Sequence, residues 1–88
     1  YGGMMEKIAI IGAGLMGHGL ALVFASAGHS VTITDPVAEA RASVKERIAS
    51  TLNALGRDES AAARIAVCAT LEEAAQEADI VIEAAPER

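Results

Sequence analysis

Residues 7–35 read KIAIIGAGLMGHGLALVFASAGHSVTITD, and the order of residue types in that run decides the fold. Ile8, Ala9, Ile10 and Ile11 make a nearly unbroken apolar run, the pattern of a strand in a parallel sheet whose two faces are covered by helices. The run leads directly into Gly12-Ala13-Gly14-Leu15-Met16-Gly17. Gly12 lets the chain turn off the strand, Gly14 leaves room for a pyrophosphate against bare backbone, and Gly17 lets the next helix pack close to the sheet. A helix that begins near Leu15 points unpaired N–H groups and its positive dipole end at the turn, so a phosphate site follows from backbone alone. By itself the glycine pattern constrains three positions and also fits a tight turn that binds nothing. Its setting is more specific. A strand precedes it, a helix over 15–27 follows with Gly28 as its stop, and Val31-Thr32-Ile33-Thr34 alternates toward Asp35, about twenty residues past the turn.

The expected ligand is therefore a dinucleotide. At the C-terminal tip of the second strand, the Asp35 carboxylate can accept hydrogen bonds from the adenosine ribose hydroxyls and repel a 2′-phosphate, which favours NAD over NADP. Pro36 and Val37 bring no cation to reverse that preference. Asp35 can equally cap a helix whose first turn holds Pro36, and the two roles can coexist.

Around this unit the chain alternates in the same way. Val44, Ile48, Leu52 and Leu55 step by helical intervals, while Arg41, Lys45, Glu46 and Arg47 take other angles, so 37–55 is expected to be an amphipathic helix covering the sheet, with Gly56 as its stop. Residues 57–64 read as a loop with one short helical turn, and 65–69 as a third strand. Thr70 and Glu73 have the spacing of a capping box for a helix running to about Ala78. Ile80-Val81-Ile82-Glu83 reads as a fourth strand, ended by Pro86. Right-handed crossovers between parallel strands then give a Rossmann-like α/β sheet in the order 3-2-1-4 with flanking helices, truncated relative to a complete domain. The crevice between strands 1 and 4 is where a cofactor would lie, with 84–87 at its nicotinamide end. Residues 1–4 are expected to be a leader outside the fold, and 5–88 the partial NAD-binding domain.

Composition narrows the function. The chain has 88 residues, a formal charge of −5, and Tyr1 and Phe24 as its only aromatics. A single small domain with a core of small aliphatics is expected, and no basic stripe or aromatic platform suits a nucleic acid. No apolar run is long enough to span a bilayer and the N-terminus lacks the pattern of a signal peptide, so a cytoplasmic protein is expected. Cys68 is the single cysteine, without a second thiol for a disulfide or a metal, and reads as a small buried hydrophobe in the third strand. His18 reads as a solvated or locally bonded helix residue. His29 reads as a polar turn residue on the far side of the sheet from the cofactor.

The segments IGAGLMGHGLALVFASAGHSVTITD and ADIVIEAAPE together resemble the N-terminal NAD-binding domain of the 3-hydroxyacyl-CoA dehydrogenase family, over nearly the whole chain after the leader. The Leu-Met-Gly inside the glycine turn and the Val-Ile-Glu-Ala-x-Pro-Glu run are its most specific parts. The resemblance implies that Gly14, Leu15 and Met16 lie against the pyrophosphate, that Asp35 holds the adenosine ribose and that Glu87 lies near the nicotinamide ribose; Glu83, a carboxylate near a strand end, reads as solvated. It also implies hydride transfer between the 3-hydroxyl of a hydroxyacyl-CoA and NAD, as part of fatty acid metabolism. The family's catalytic histidine and glutamate, its substrate-binding residues and its dimerising helical domain fall beyond Arg88, so this chain alone is expected to be inactive. Two other readings compete: the cofactor domain of a hydroxyisobutyrate-type dehydrogenase, and a stand-alone nucleotide-binding module, natural or engineered, without catalysis. Ile80-Val81-Ile82 would be interior in a complete sheet, so the isolated chain is expected to self-associate through that open edge.

Overall fold

A computed structural model describes residues 6–84. Four parallel strands, β1 (Lys7–Ile11), β2 (Ser30–Thr34), β3 (Ile65–Val67) and β4 (Ile80–Glu83), form one sheet in the order β3-β2-β1-β4. Helix α1 (Leu15–Ser26) joins β1 to β2, and α2 (Ala38–Ala54) followed by a 3-10 helix (Glu59–Arg64) joins β2 to β3. Helix α3 (Leu71–Ala75) joins β3 to β4. The order is the one expected from right-handed crossovers, and it places β4 beside β1 on the side away from β2.

Register separates the two faces. Ile8, Val31, Ile65 and Ile80 align across the strands, as do Ile10, Ile33, Val67 and Ile82, while Ala9, Thr32, Ala66 and Val81 point the other way. The bulky face packs against Ala21, Leu22 and Ala25 of α1 and Val44, Ile48 and Leu52 of α2, with Ile10, Ile33, Ile48 and Leu52 wholly buried. Removing this much aliphatic surface from water is the main force holding the sheet to these helices. The opposite face carries smaller residues and meets the short α3, where the Thr32 hydroxyl donates to the Ala74 carbonyl at 2.7 Å.

Both long helices end as their glycines require. Gly28 (φ 100°) and Gly56 (φ 71°) are left-handed. At the first, Gly28 N–H donates to Ala25 O and His29 N–H to Phe24 O; at the second, Gly56 donates to Asn53 O and Arg57 to Leu52 O. Each is a complete Schellman closure, in which paired 6→1 and 5→2 bonds satisfy carbonyls the helix leaves open.

Several boundaries differ from the sequence expectation. The second helix begins at Ala38 with Val37 as its N-cap, so Pro36 lies outside it, and Leu55, placed on the buried stripe by its spacing, is the exposed C-cap. On α1 the buried positions are Gly17, Ala21, Leu22 and Ala25; Leu20 and Phe24 pack at the margin and Val23 faces solvent. A nearly uniform apolar helix has no sequence period to mark its inner face. β3 stops at Val67, and Cys68 follows it half-buried, its N–H still bonded to Ile33 O at 2.9 Å. Helix α3 is one short turn, ending at Ala75. Its Thr70 cap accepts from Glu73 N–H at 3.1 Å, but the Glu73 carboxylate returns to Ala69 N–H, one residue before the cap. The 3-10 helix is capped by Asp58, whose carboxylate accepts from Ser60 N–H at 2.9 Å; bonds to Ser60 hold its pKa below the usual 3.8.

Candidate dinucleotide site

The C-terminal ends of β1, β2 and β4 meet at the glycine turn. Gly12 adopts φ 117°, a conformation other residues rarely take, and its N–H donates to Thr34 O at 2.7 Å, carrying the β1–β2 ladder one step beyond the strand. On the other flank, Ala84 N–H donates to Ile11 O at 2.8 Å, which carries the β1–β4 ladder to the same level. β1 lies where the strand order reverses, and the crevice between β1 and β4 is the position at which open α/β sheets bind ligands.

The three motif glycines answer to three different constraints. Backbone conformation requires Gly12. Close packing requires Gly17, because a Cβ there would overlap the Gly12 carbonyl oxygen and stand 2.8 Å from its carbonyl carbon. Gly14 is under neither demand: its φ is −78°, and a Cβ built on it has no atom within 4 Å. Among the described residues, nothing stands in front of it. Gly14 is the N-cap of α1, no side chain among the described residues caps that helix, and Leu15 and Met16 are 87% and 66% exposed. Uncapped first-turn N–H groups at the positive end of a twelve-residue helix, beside a bare Cα, suit a pyrophosphate.

Asp35 sits just beyond β2 and is 8% exposed. One carboxylate oxygen accepts from Ala13 N–H at 2.8 Å and the other from Val37 N–H at 2.8 Å. The second bond closes an Asx turn ahead of α2; because the helix starts at Ala38 with Val37 as its N-cap, Asp35 does not cap it. The first ties the tip of β2 to the glycine turn. Each oxygen keeps acceptor capacity for a further donor, so the carboxylate can hold the turn and still receive hydroxyls.

Cations reach this end of the sheet from further along the chain than residues 36 and 37. The Arg41 guanidinium donates to the Asp35 carbonyl at 2.6 Å, and that of Arg47 donates to the Ala13 carbonyl at 2.6 Å. Neither residue stands out in the sequence as part of the site. The signal for Arg41 is its place three residues before Val44, on the extension of the buried stripe of α2, where a charge needs a partner.

His18 is bonded, but not locally: its Nε2 meets Thr51 Oγ1 at 3.1 Å across the α1–α2 contact. Thr51 donates its hydroxyl hydrogen to Arg47 O, so its oxygen accepts from Nε2–H, and the buried Nδ1 is left without a partner among the described residues. His29 lies at the opposite end of the sheet, edge-on to Phe24 at 5.8 Å with Nδ1 3.2 Å from Glu6 O. Burial, and then the Glu73 charge, push the Cys68 thiol up, which disfavours a reactive thiolate. Among the described residues no group of three or more His, Cys, Asp or Glu could hold a metal ion, and no helix is long and apolar enough to cross a membrane. Glu83 is exposed, and Pro86 and Glu87 lie outside the described residues. A cavity of about 350 Å³ between Lys7, Thr32 and Glu77 is at the N-terminal strand ends, away from the glycine turn.

Residues 7–88 match the family model described as 3-hydroxyacyl-CoA dehydrogenase, NAD binding domain. L-carnitine dehydrogenase of Streptomyces griseus is 38% identical over 88 residues, an alignment covering 96% of this chain and 26% of that enzyme. (S)-3-Hydroxybutyryl-CoA dehydrogenase from Ralstonia eutropha superposes with a TM-score of 0.83 at 32% identity, covering 97% of this chain and 32% of that one. For 3-hydroxybutyryl-CoA dehydrogenase from Escherichia coli the TM-score is 0.82 at 36% identity, over 97% and 20%. The chain thus spans about a quarter of the curated relative and about a third or less of the two structures. A glycine turn with a free helix terminus at the sheet's reversal point, in a chain matched along almost all its length, identifies the cofactor: the chain belongs to the 3-hydroxyacyl-CoA dehydrogenase family, as its NAD-binding domain.

Proposed function

We propose that this chain holds NAD for a dehydrogenase that moves hydride between the 3-hydroxyl of a 3-hydroxyacyl-CoA and the nicotinamide. The observation that carries the reading is Gly14, a glycine that neither its backbone angles nor any neighbour among the described residues requires, at a helix start that no described side chain caps. In this proposal Gly12, Gly14, Leu15, Met16 and Gly17 form the pyrophosphate cradle, Asp35 receives the adenosine ribose, and Glu87 serves the nicotinamide ribose. NAD supplies the hydride acceptor. The chain's own residues bind and orient it, and the base that takes the hydroxyl proton comes from outside residues 1–88, so the chain alone does not turn over. The Asp35 carboxylate disfavours a 2′-phosphate, and one N–H of the Arg41 guanidinium is directed to the Asp35 carbonyl at 2.6 Å.

Calorimetric titration of NAD and NADP tests the cofactor half of the proposal; equal affinities would refute the role of Asp35. An NADH absorbance assay tests the rest, and sustained turnover of 3-hydroxybutyryl-CoA by the 88-residue chain would refute its inactivity. L-carnitine is a second candidate substrate for the whole enzyme, favoured by the 38% identity to a carnitine dehydrogenase. Assaying an enzyme that contains this segment with both substrates separates them. A cytoplasmic setting in fatty acid metabolism belongs to the first reading. Self-association of the isolated chain is also proposed, since among the described residues β4 pairs with β1 alone and leaves Ile80 39% and Val81 51% exposed. Light scattering across a dilution series would show a concentration-dependent mass, and a monomer throughout would refute it.

A further inference from the structure

We propose that Arg47 is a positioning residue for the phosphate end of the site: by holding the Ala13 carbonyl it turns the Gly14 N–H toward the bound pyrophosphate. The inference rests on the reading that the glycine turn receives that group. Two peptide planes make up the turn, and each is held by one end. In a trans peptide the C=O of one residue and the N–H of the next point in opposite directions, and no described peptide is cis. The first plane is fixed at Ala13 N–H, which donates to Asp35 at 2.8 Å, so the Gly12 carbonyl points the other way, under α1, where Gly17 leaves space for it. The second plane is fixed at the Ala13 carbonyl, which accepts from Arg47 at 2.6 Å. Its opposite end is the Gly14 N–H, directed away from Arg47.

Without Arg47 the second plane would have no such anchor, and because the residue on its far side is Gly14, whose φ no side chain restricts, the plane could rotate. The guanidinium is itself oriented by its own helix. Its Nε–H donates to Ser43 Oγ at 3.1 Å, and the amino group that reaches Ala13 also lies 3.3 Å from Ala40 O. Arg47 therefore works as a rigid fork anchored on α2, and a preset donor aimed at an anion loses little orientational freedom on binding. Arg64 makes a bond of the same kind, to Ala25 O at 2.9 Å, at the far end of α1, and so provides a control that touches no part of the turn.

The test compares Arg47→Met, Arg47→Lys and Arg64→Met with the wild-type 88-residue chain, using NAD and adenosine as probes, with thermal unfolding measured for each. In wild type, NAD and not adenosine should shift the Gly14 amide resonance; if NAD leaves it unmoved, the pyrophosphate reading fails and this inference with it. Arg47→Met should weaken NAD about tenfold while adenosine changes less than about twofold, and Arg47→Lys, which keeps a charged donor, should recover to within about threefold of wild type. Arg64→Met should bind NAD as wild type does. NAD affinity unchanged in Arg47→Met overturns the inference and leaves the pyrophosphate reading standing. Equal losses for NAD and adenosine, or the same loss in Arg64→Met, would show a role in general stability alone. Should Arg47→Met be unfolded, Ser43→Ala carries the comparison: it releases one tine of the fork, so NAD should weaken about threefold with adenosine unaffected, and unchanged NAD affinity would overturn the inference.

Discussion

Asp35 is expected to have two separable effects, one on stability and one on ligand binding. Its carboxylate accepts from Ala13 N–H, which belongs to a wholly buried residue, and from Val37 N–H, whose residue is 54% exposed. Asn can turn its one carbonyl oxygen to Ala13 and present its amide group to Val37, whose N–H water can then serve. Losing one charge-assisted bond at a wet site gives a cost for Asp35→Asn of about 1.5 kcal/mol. In Asp35→Ala the Ala13 N–H is stranded in the interior, and the cost rises to about 3 kcal/mol. A domain of this size shifts its midpoint by roughly 6 °C per kcal/mol, so midpoints about 9 °C and about 18 °C below wild type are expected. The chain has no tryptophan, so unfolding should be followed by circular dichroism, at low concentration to limit association. NAD affinity should fall in both variants. If Asp35→Ala unfolds at the wild-type midpoint while NAD binding drops, the carboxylate serves the ligand alone, and the two backbone bonds contribute nothing.

Four further outcomes follow, three from glycines of the turn and α1 and one from the cap of the 3-10 helix. Gly14→Val should abolish NAD binding with the dichroism spectrum retained, because its side chain would fill ligand space; undiminished affinity would contradict the argument. Gly17→Ala should instead destabilise the fold by about 3 kcal/mol, since α1 must retreat from the Gly12 carbonyl, and a wild-type denaturation midpoint would show that the helix has room to move. Gly19 lies inside α1 with no atom within 4 Å of a built Cβ, so Gly19→Ala should raise stability by up to about 1 kcal/mol, and a lowered midpoint would count against helix propensity deciding there. The pKa of Asp58 is depressed by its bonds to Ser60, so its contribution to stability is present above pH 3.8 and disappears as pH falls through the lower folded value; Asp58→Asn should flatten that part of the acid unfolding curve.

Much of the architecture was legible because it depends on local rules. An apolar run followed by three glycines, and glycines at 28 and 56, are steric statements about a few consecutive residues, and the structure places a strand, a turn and two Schellman closures there. Handedness of the crossovers then restricts the strand order to the one found. Residue types also marked Gly14 and Asp35 as candidates. What the tertiary structure alone decided is how those residues are held. Arg47 reaches Ala13 across 34 positions, His18 reaches Thr51 across 33, and Asp35 reaches Ala13 across 22. No periodicity predicts such bonds, because each joins segments far apart in the sequence that only the folded arrangement brings together in a fixed orientation. The tightness of the packing is likewise a tertiary fact: the motif assigns Gly14 and Gly17 different roles, but only the approach of α1 to Gly12 shows that a Cβ at Gly17 would overlap a carbonyl while one at Gly14 would meet no described atom within 4 Å.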